Sequence, residues 1–511
     1  MDILANFMGG LQVAIQPDNL LYCFIGVFLG TFIGVLPGIG SMGAIAMIMP
    51  LTFYLDPTAA LVMIAGVYYG AEYGGAIASI LMNIPGTPAA SITCIDGYPM
   101  AQKGRAGIAL FTAAFASFGG GIIGMLVMAL LSPALSTLAL NFGPTEYFSV
   151  ILLGLIAASA VSNKSPIKGI AMVVTGLMLG TVGMDLTSGD LRFTLDIAEL
   201  RDGVHLVIVA MGLFGVGELI VSIRANQGLG GKQEIDYTAF YPTRKEWKSM
   251  FGAVLRGSSI GSFFGALPGT GQTVAAAVSY AVEKKASPNA VNFGKGAHEG
   301  VAASESANNS ATQTAFIPTL TLGVPGSASM ALVIGALMIH GITPGPNLIS
   351  DNPDLFWGLV ASFLIGNILL IILNVPLIGI WVRLLQIPYR FMYPTIIVLI
   401  CVGVYSLNNN VFDIWLTLLF GWLGYLMRLF QFEPAPLLIG FVLGPMMEEH
   451  LRRAMLLSRG DAMVFLERPI SATLIAITLC LVIYTFYSVT KRRLAARSNN
   501  AVDKLSSDPI L

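Results

Sequence analysis

The sequence predicts an all-α polytopic membrane protein of about 10–12 membrane segments. These form two inverted-topology repeats with re-entrant hairpins and discontinuous helices. Three observations predict this class. Hydrophobic residues make up 55% of the 511 and charged residues only 11%, against roughly 25% charged in soluble proteins. Apolar stretches recur along the whole chain, several reaching the ~20 residues of a spanning helix. Finally, helix-breaking Pro-Gly pairs interrupt those stretches in a duplicated order.

The apolar stretches are Leu20–Leu36, Ile108–Leu131, Phe148–Val161, Ile170–Val182, Val204–Ile223, Leu355–Ile380, Thr395–Tyr405, Ile414–Met427 and Ser471–Val489. The shorter ones read as broken or re-entrant segments. The start, "MDILANFMGG", lacks a basic n-region, so the first apolar segment is expected to stay in the mature protein. A net charge of −1 gives no global field for nucleic acid. The four cysteines, Cys23, Cys94, Cys401 and Cys480, show no metal-binding spacing and read as space-filling residues.

Two motifs occur twice. "GTFIGVLPGIGSMGA" (Gly30–Ala44) matches "GSFFGALPGTGQTVA" (Gly261–Ala275), and "MNIPGTPAAS" (Met82–Ser91) matches "LGVPGSASMA" (Leu322–Ala331). Leu36 thus corresponds to Leu267 and Pro85 to Pro325. A looser likeness joins Gly143–Lys164 to Pro388–Asn409. The expected organisation is a first repeat over 1–225, a cytoplasmic linker over 226–249 and a second repeat over 250–450. An amphipathic stretch, a last transmembrane helix and a cytoplasmic tail occupy 451–511.

Basic residues indicate the hand of the duplication, because Lys and Arg concentrate in cytoplasmic loops. Lys284, Lys285 and Lys295 follow the second LPG motif, and the matching loop of the first half has none. At the next corner Lys103 and Arg105 lie in the first half, with none opposite; then Arg383 and Arg390 lie in the second half, and Lys164 and Lys168 in the first. Such alternation predicts halves of opposite orientation. Arg452, Arg453 and Arg459 break the pattern in a segment that also holds Glu448, Glu449 and His450. On this reading the LPG hairpins dip in from opposite faces, and each second Pro-Gly pair interrupts a crossing helix.

A broken helix frees N–H groups that hold an anion and carbonyls that hold a cation. Transporters built on inverted repeats use such breaks as binding sites. The expected anion site therefore comprises Gly38, Gly40, Asn83, Gly86 and Thr87 from the first half, with Gly269, Gly271, Gly326 and Ser327 from the second. Gly269 and Gly326 are both expected to tolerate no side chain. The polar run "ASESANNSATQT" (Ala303–Thr314) lies inside an apparent membrane segment. Interhelical hydrogen bonds worth about 1 kcal/mol each account for one or two such residues, not nine. From it, Asn308, Asn309 and Ser310, with Thr270 at the LPG tip, form the expected Na⁺ site. Glu72 has no basic neighbour in its segment. It reads equally as a coupling group or as a charge at the interface. Either Glu72 or Glu305 could instead carry H⁺. His298 and Glu299 are expected to be a solvated or capping pair, and His340 ordinary loop packing. Since the motif segments contain no deep Lys or Arg, anion binding there favours coupling to a cation.

The combination of "GVLPGIG", "YYGAEYGGAIASILMNIPGTPAA", "DGYPMAQKGRAG", "FFGALPGTGQ", "EGVAASESANN" and "FIPTLTLGVPGSASMA" resembles the large membrane subunit (TctA type) of the tripartite tricarboxylate transporter family. The likeness covers nearly the whole chain. It implies a permease of the bacterial inner membrane for tricarboxylates or related carboxylates, driven by an ion gradient. It also implies two partners, a small membrane subunit and a periplasmic solute-binding protein. No cofactor is expected beyond the coupling cation, Na⁺ or H⁺. An anion channel with polar hairpins is the alternative. An enzyme ranks last, because no HExxH occurs and the few histidines and cysteines show no catalytic spacing; the missing GxxxxGK[ST] agrees with an ion gradient rather than ATP.

Overall fold

The computed structural model describes residues 3–36, 39–160, 165–185, 188–225, 241–269, 271–384, 389–485 and 487. Its helices are α1 Ile3–Ala14, α2 Pro17–Val35, α3 Gly40–Thr52, α4 Pro57–Met82, α5 Ala90–Gln102, α6 Ala106–Ala139, α7 Pro144–Ala160 and α8 Pro166–Gly180. A two-residue antiparallel ladder follows, β1 Gly183–Met184 on β2 Leu191–Arg192. Then come α9 Leu206–Ala210 and α10 Gly217–Ala225, joined through a wider π turn at Met211–Val216. The second half holds α11 Arg244–Gly265, α12 Gly271–Ala286, α13 His298–Thr314, α14 Phe316–Leu322, α15 Ala328–Ile339 and α16 Leu348–Asp351. It continues with α17 Pro353–Asn374, α18 Ile378–Leu384, α19 Tyr389–Asn408, α20 Val411–Leu429, α21 Pro434–Leu457 and α22 Val464–Glu467. A further apolar helix covers Pro469–Thr485. Five helices among the described residues are long and apolar enough to cross a membrane. With the shorter apolar helices, this is a polytopic all-α membrane protein.

Starts and stops follow local chemistry. Proline stands at the first helical position of α2, α4, α8, α17 and α21, where its missing N–H costs nothing. Asp56 caps α4 by accepting from the Thr58 N–H at 3.0 Å, and Thr243 and Glu246 form a reciprocal capping box on α11. The α4 stop at Asn83 (φ +56°) has its twin at Gly323 (φ +68°), which ends α14. Left-handed backbone there closes the helix as Asn and Gly do best.

The duplication seen in sequence is also a duplication of packing. Gly26, Gly30 and Gly34 of α2 lie against the backbone of Met63, Val67 and Ala71 on α4. Gly257, Gly261 and Gly265 of α11 lie in the same register against Ala303, Ala307 and Ala311 on α13. A Cβ on Gly30 would stand 2.8 Å from Val67 Cα, and one on Gly261 2.7 Å from Ala307 Cα. Small residues let helix backbones approach this closely, and van der Waals contact then holds them where hydrophobic burial cannot. The helices so clasped are the core: all of α13 is buried, as is α4 from Ala59 to Leu81.

Later helices pack across the halves. In chain order α8 corresponds to α20, and α9–α10 to α21. The α8 helix packs on α21, while α20 packs on α10 and the π turn before it. This reciprocal exchange ties the repeats into one body.

Several expectations need correction. The boundary at 450 falls inside α21, which runs unbroken to Leu457. Arg452 there bonds Asp185 at 2.8 Å and Glu448 at 2.6 Å, and Arg192 bonds Glu448 at 3.0 Å. Of the three basic residues that broke the charge pattern, Arg452 is thus partnered by acidic ones beside the β1–β2 ladder, and Arg453 by Glu449 one turn away on its own helix. The linker is shorter than expected, because α11 begins at Arg244; its residues 226–240 and the tail 488–511 lie outside the described residues. His298 and Glu299 are buried rather than solvated. They contact each other at 3.3 Å, and His298 Nε2 lies 2.8 Å from Ser249 Oγ. All four cysteines are free.

Candidate functional site

Residues at or just after each of the four Pro-Gly breaks line one cavity of about 170 Å³. Ser41 and Met42, just after the first LPG motif, line it opposite Gly269, Gly271, Gln272 and Thr273 of the second. Pro88 and Ala89 of the third break face Gly326, Ser327 and Ser329 of the fourth. Ala158 of α7 and Glu433 with Pro436 at the head of α21 complete the wall, and Glu72 enters from α4. Helices α3, α5, α12 and α15 all begin at this cavity. Their first N–H groups have no partner within the helix, and the four dipoles add positive potential.

The turns are built for this approach. Gly40 (φ +67°) and Gly271 (φ +66°) occupy equivalent places and nearly the same left-handed conformation, which glycine adopts without penalty. Gly269 (φ +82°) is crowded as well, since a Cβ there would stand 2.7 Å from the Ala158 nitrogen. Its N–H donates to the Gly326 carbonyl at 3.1 Å, joining the second and fourth breaks. Along α12 the chain returns antiparallel to α11, and Arg256 clamps Glu283 through two hydrogen bonds of 2.7 Å. Gly326 differs from expectation. Its φ is not positive, and a Cβ there would be 3.7 Å from its nearest neighbour, so a small side chain fits.

Among the described residues lining the cavity, none is Lys or Arg, whereas two are carboxylates, Glu72 and Glu433. Buried Thr87 donates to Glu72 Oε2 at 2.8 Å, and Ser41 and Asn308 stand beside the same carboxylate. Neither amide atom of Asn308, on buried α13, makes a hydrogen bond of good geometry, although the side chain lies within reach of the Glu72 carboxylate. The Tyr68 hydroxyl, at the position of the first half that answers to Asn308, is likewise buried, with Ser327 within reach but no bond of good geometry. This corner combines a carboxyl group with neutral oxygens, a donor set that suits a hard monovalent cation.

The structure brings Gly269, Gly271, Gly326, Ser327 and Glu72 to the cavity, with Gly40 and Thr87 immediately behind it and Asn308 beside Glu72. Gly38 and Thr270 lie outside the described residues. The remaining expected residues lie elsewhere. Asn83 is an exposed helix stop, and Gly86 packs on Gly75, where a Cβ would meet Gly75 Cα at 2.6 Å. Asn309 turns to α6, donating to Ser117 Oγ at 2.8 Å. Ser310 bonds Ser262 Oγ at 2.6 Å and the Ser258 carbonyl at 2.9 Å on α11. Helix geometry separates the trio, because successive residues project about 100° apart. Sequence reasoning missed Ser41, Gln272 and Glu433. The first two hold equivalent places after the LPG motifs, so aligning the repeats would have found them.

A sequence model of the family described as "Tripartite tricarboxylate transporter TctA family" matches residues 20–439. An uncharacterized 52.8 kDa protein in the TAR-I ttuC' 3' region of Agrobacterium vitis is 48% identical over 496 residues, covering 96% of this chain and 98% of that one. A second uncharacterized protein, in the TAR-II ttuC' 3' region of the same organism, is 54% identical over 234 residues, covering 46% and 97%. No solved structure matches the chain.

Proposed function

The chain belongs to the tripartite tricarboxylate transporter TctA family, and from that premise we propose that it is the permease subunit of a secondary transporter importing tricarboxylate or related carboxylate anions. One observation carries the reading: four helix N-termini converge on a cavity with no basic side chain among its described lining residues. A carboxylate seated there accepts hydrogen bonds from the first N–H groups of α3, α12 and α15 and from the hydroxyls of Ser41 and Ser327. Glu72 and Glu433 repel that anion. An unpaired charge at low dielectric costs several kcal/mol, so a cation must enter with it. Na⁺ between Glu72 and the amide oxygen of Asn308 cancels the Glu72 charge, and coupling follows because the anion is favoured in the cavity only once that cation is bound. H⁺ on Glu72 serves the same balance.

The two LPG hairpins are re-entrant and enter from opposite faces, as inverted repeats require. The protein lies in the bacterial inner membrane. A small membrane subunit assembles with it, and a periplasmic solute-binding protein delivers the carboxylate. Substitution of the cavity wall tests the reading. Ser41→Leu and Ser327→Leu are expected to raise the substrate concentration for half-maximal uptake by about tenfold or more. Unchanged kinetics in both variants contradicts the cavity as the substrate site.

A further inference from the structure

We propose that Glu305 is a proton-binding carboxyl of the transport cycle, exchanging its proton through Ser117 and one water held by Tyr73 and Asn374. The inference rests on the transport reading but uses residues outside the substrate cavity. Glu305 lies on α13 with no exposed surface. Thr93 of α5 donates to one carboxylate oxygen, and Ser117 of α6 donates to the other at 3.1 Å. Asn309 Nδ2 donates to Ser117 Oγ at 2.8 Å and to the Glu305 carbonyl at 3.1 Å. No cation faces this group among the described residues. The titratable side chains near it are Glu72 and Tyr73 of α4 and Cys94 of α5. Helices α6 and α14 carry none. Elsewhere in the surrounding helices, Arg256 of α11 is held by Glu283 of α12. Asp96 of α5 accepts from the N–H groups of Gly294, Gly296 and Ala297 and from the Tyr280 hydroxyl of α12.

A membrane-buried carboxylate with only hydroxyl partners needs a neutralising charge. Thr93 and Ser117 are hydroxyls, which turn a hydrogen to an ionised carboxylate or a lone pair to a protonated one, so the shell accommodates Glu305 with and without a proton. Beside Ser117 lies a cavity of about 10 Å³ lined also by Tyr73, Asn374 and Ile378, about the space of one water. Asn374 is buried, and its Oδ1 has no partner in the protein, while its Nδ2 donates to the Leu370 carbonyl at 2.9 Å. Tyr73 donates to the Ala114 carbonyl at 3.1 Å and keeps lone pairs to offer a water. Asn374 ends α17, and exposed Pro376 and Leu377 follow it, so the water sits beside the end of a membrane helix. In the transfer Glu305 gives its proton to the Ser117 oxygen as the Ser117 proton passes to the water. One H⁺ moves, and no electrons change hands.

The test uses the full transporter in proteoliposomes holding a lumenal pH dye. Wild type is expected to acidify the lumen as carboxylate enters without a Na⁺ gradient. Glu305→Gln is expected to lose accumulation driven by a pH gradient by about tenfold or more and to flatten the pH profile of its residual counterflow, while Glu305→Asp restores part of both. Asn374→Leu should slow the pH-driven rate. Should Glu305→Gln fail to insert, the protonated-carboxyl C=O band of the wild type, shifting with pH and substrate, reads the same group. Net carboxylate uptake without lumenal acidification, or a wild-type pH profile in Glu305→Gln, overturns the proton role and leaves the transport reading standing. Absence of counterflow by the wild type overturns both.

Discussion

Asn308 and Ser310, two residues apart, end in different surroundings. The Asn308 amide makes no hydrogen bond of good geometry and faces Glu72, whereas the Ser310 hydroxyl is tied to Ser258 and Ser262. Asn308→Ala is therefore expected to raise the cation concentration for half-maximal uptake about tenfold, near 1.4 kcal/mol. Ser310→Ala is expected to change it less than twofold and to lower thermal stability by about 1 kcal/mol. Cation titration of initial uptake rates separates the two, and equal shifts would sink the assignment. Asn83 gives a second contrast. As a left-handed stop, it should accept Asn83→Gly with uptake intact, while Asn83→Val costs about 1–2 kcal/mol of stability. Loss of uptake in Asn83→Gly would return Asn83 to the ligands. The sequence located the polar run but did not divide it, because which face of α13 meets α6, α11 or the cavity depends on the packing of neighbours far along the chain.

At the scale of elements, the two glycine rows set the spacing of α2 on α4 and of α11 on α13. Gly30→Leu and Gly261→Leu force those pairs apart, a cost of several kcal/mol if the backbone cannot yield. Melting of the detergent-purified protein should fall steeply in both, and an unchanged melting temperature contradicts the packing. Gly269→Ala and Gly326→Ala divide in the same assay. The first places a side chain at positive φ against Ala158, and the second fits. A Gly326 variant as damaged as its Gly269 counterpart would show the fourth break to be tighter than its geometry. The breaks were legible because Pro and Gly act locally on the backbone. The full reach of α21 was not, because Glu448 and Arg452 read as a surface stretch until Asp185 and Arg192 are placed beside them.

Across the whole molecule, the repeats share their breaks, their glycine rows and a reciprocal exchange of late helices, so duplication was readable from two motifs. The cavity's second carboxylate was not, because Glu433 lies far from every motif and arrives only through the packing of α21. Opposite orientation of the halves predicts that single cysteines at Asp56 and Lys285, in a cysteine-free background, label from outside and inside respectively. Labelling from one side would make the duplication parallel. The central claim is that one cavity binds a carboxylate only in the company of a cation. It is tested most directly by initial rates of tricarboxylate uptake into vesicles holding the full transporter, with substrate, Na⁺ and pH varied independently. The account predicts saturable uptake whose half-saturation for substrate falls as the coupling cation rises, with accumulation above equilibrium under a cation gradient. Flux that rises linearly with substrate and ignores both cations would contradict it.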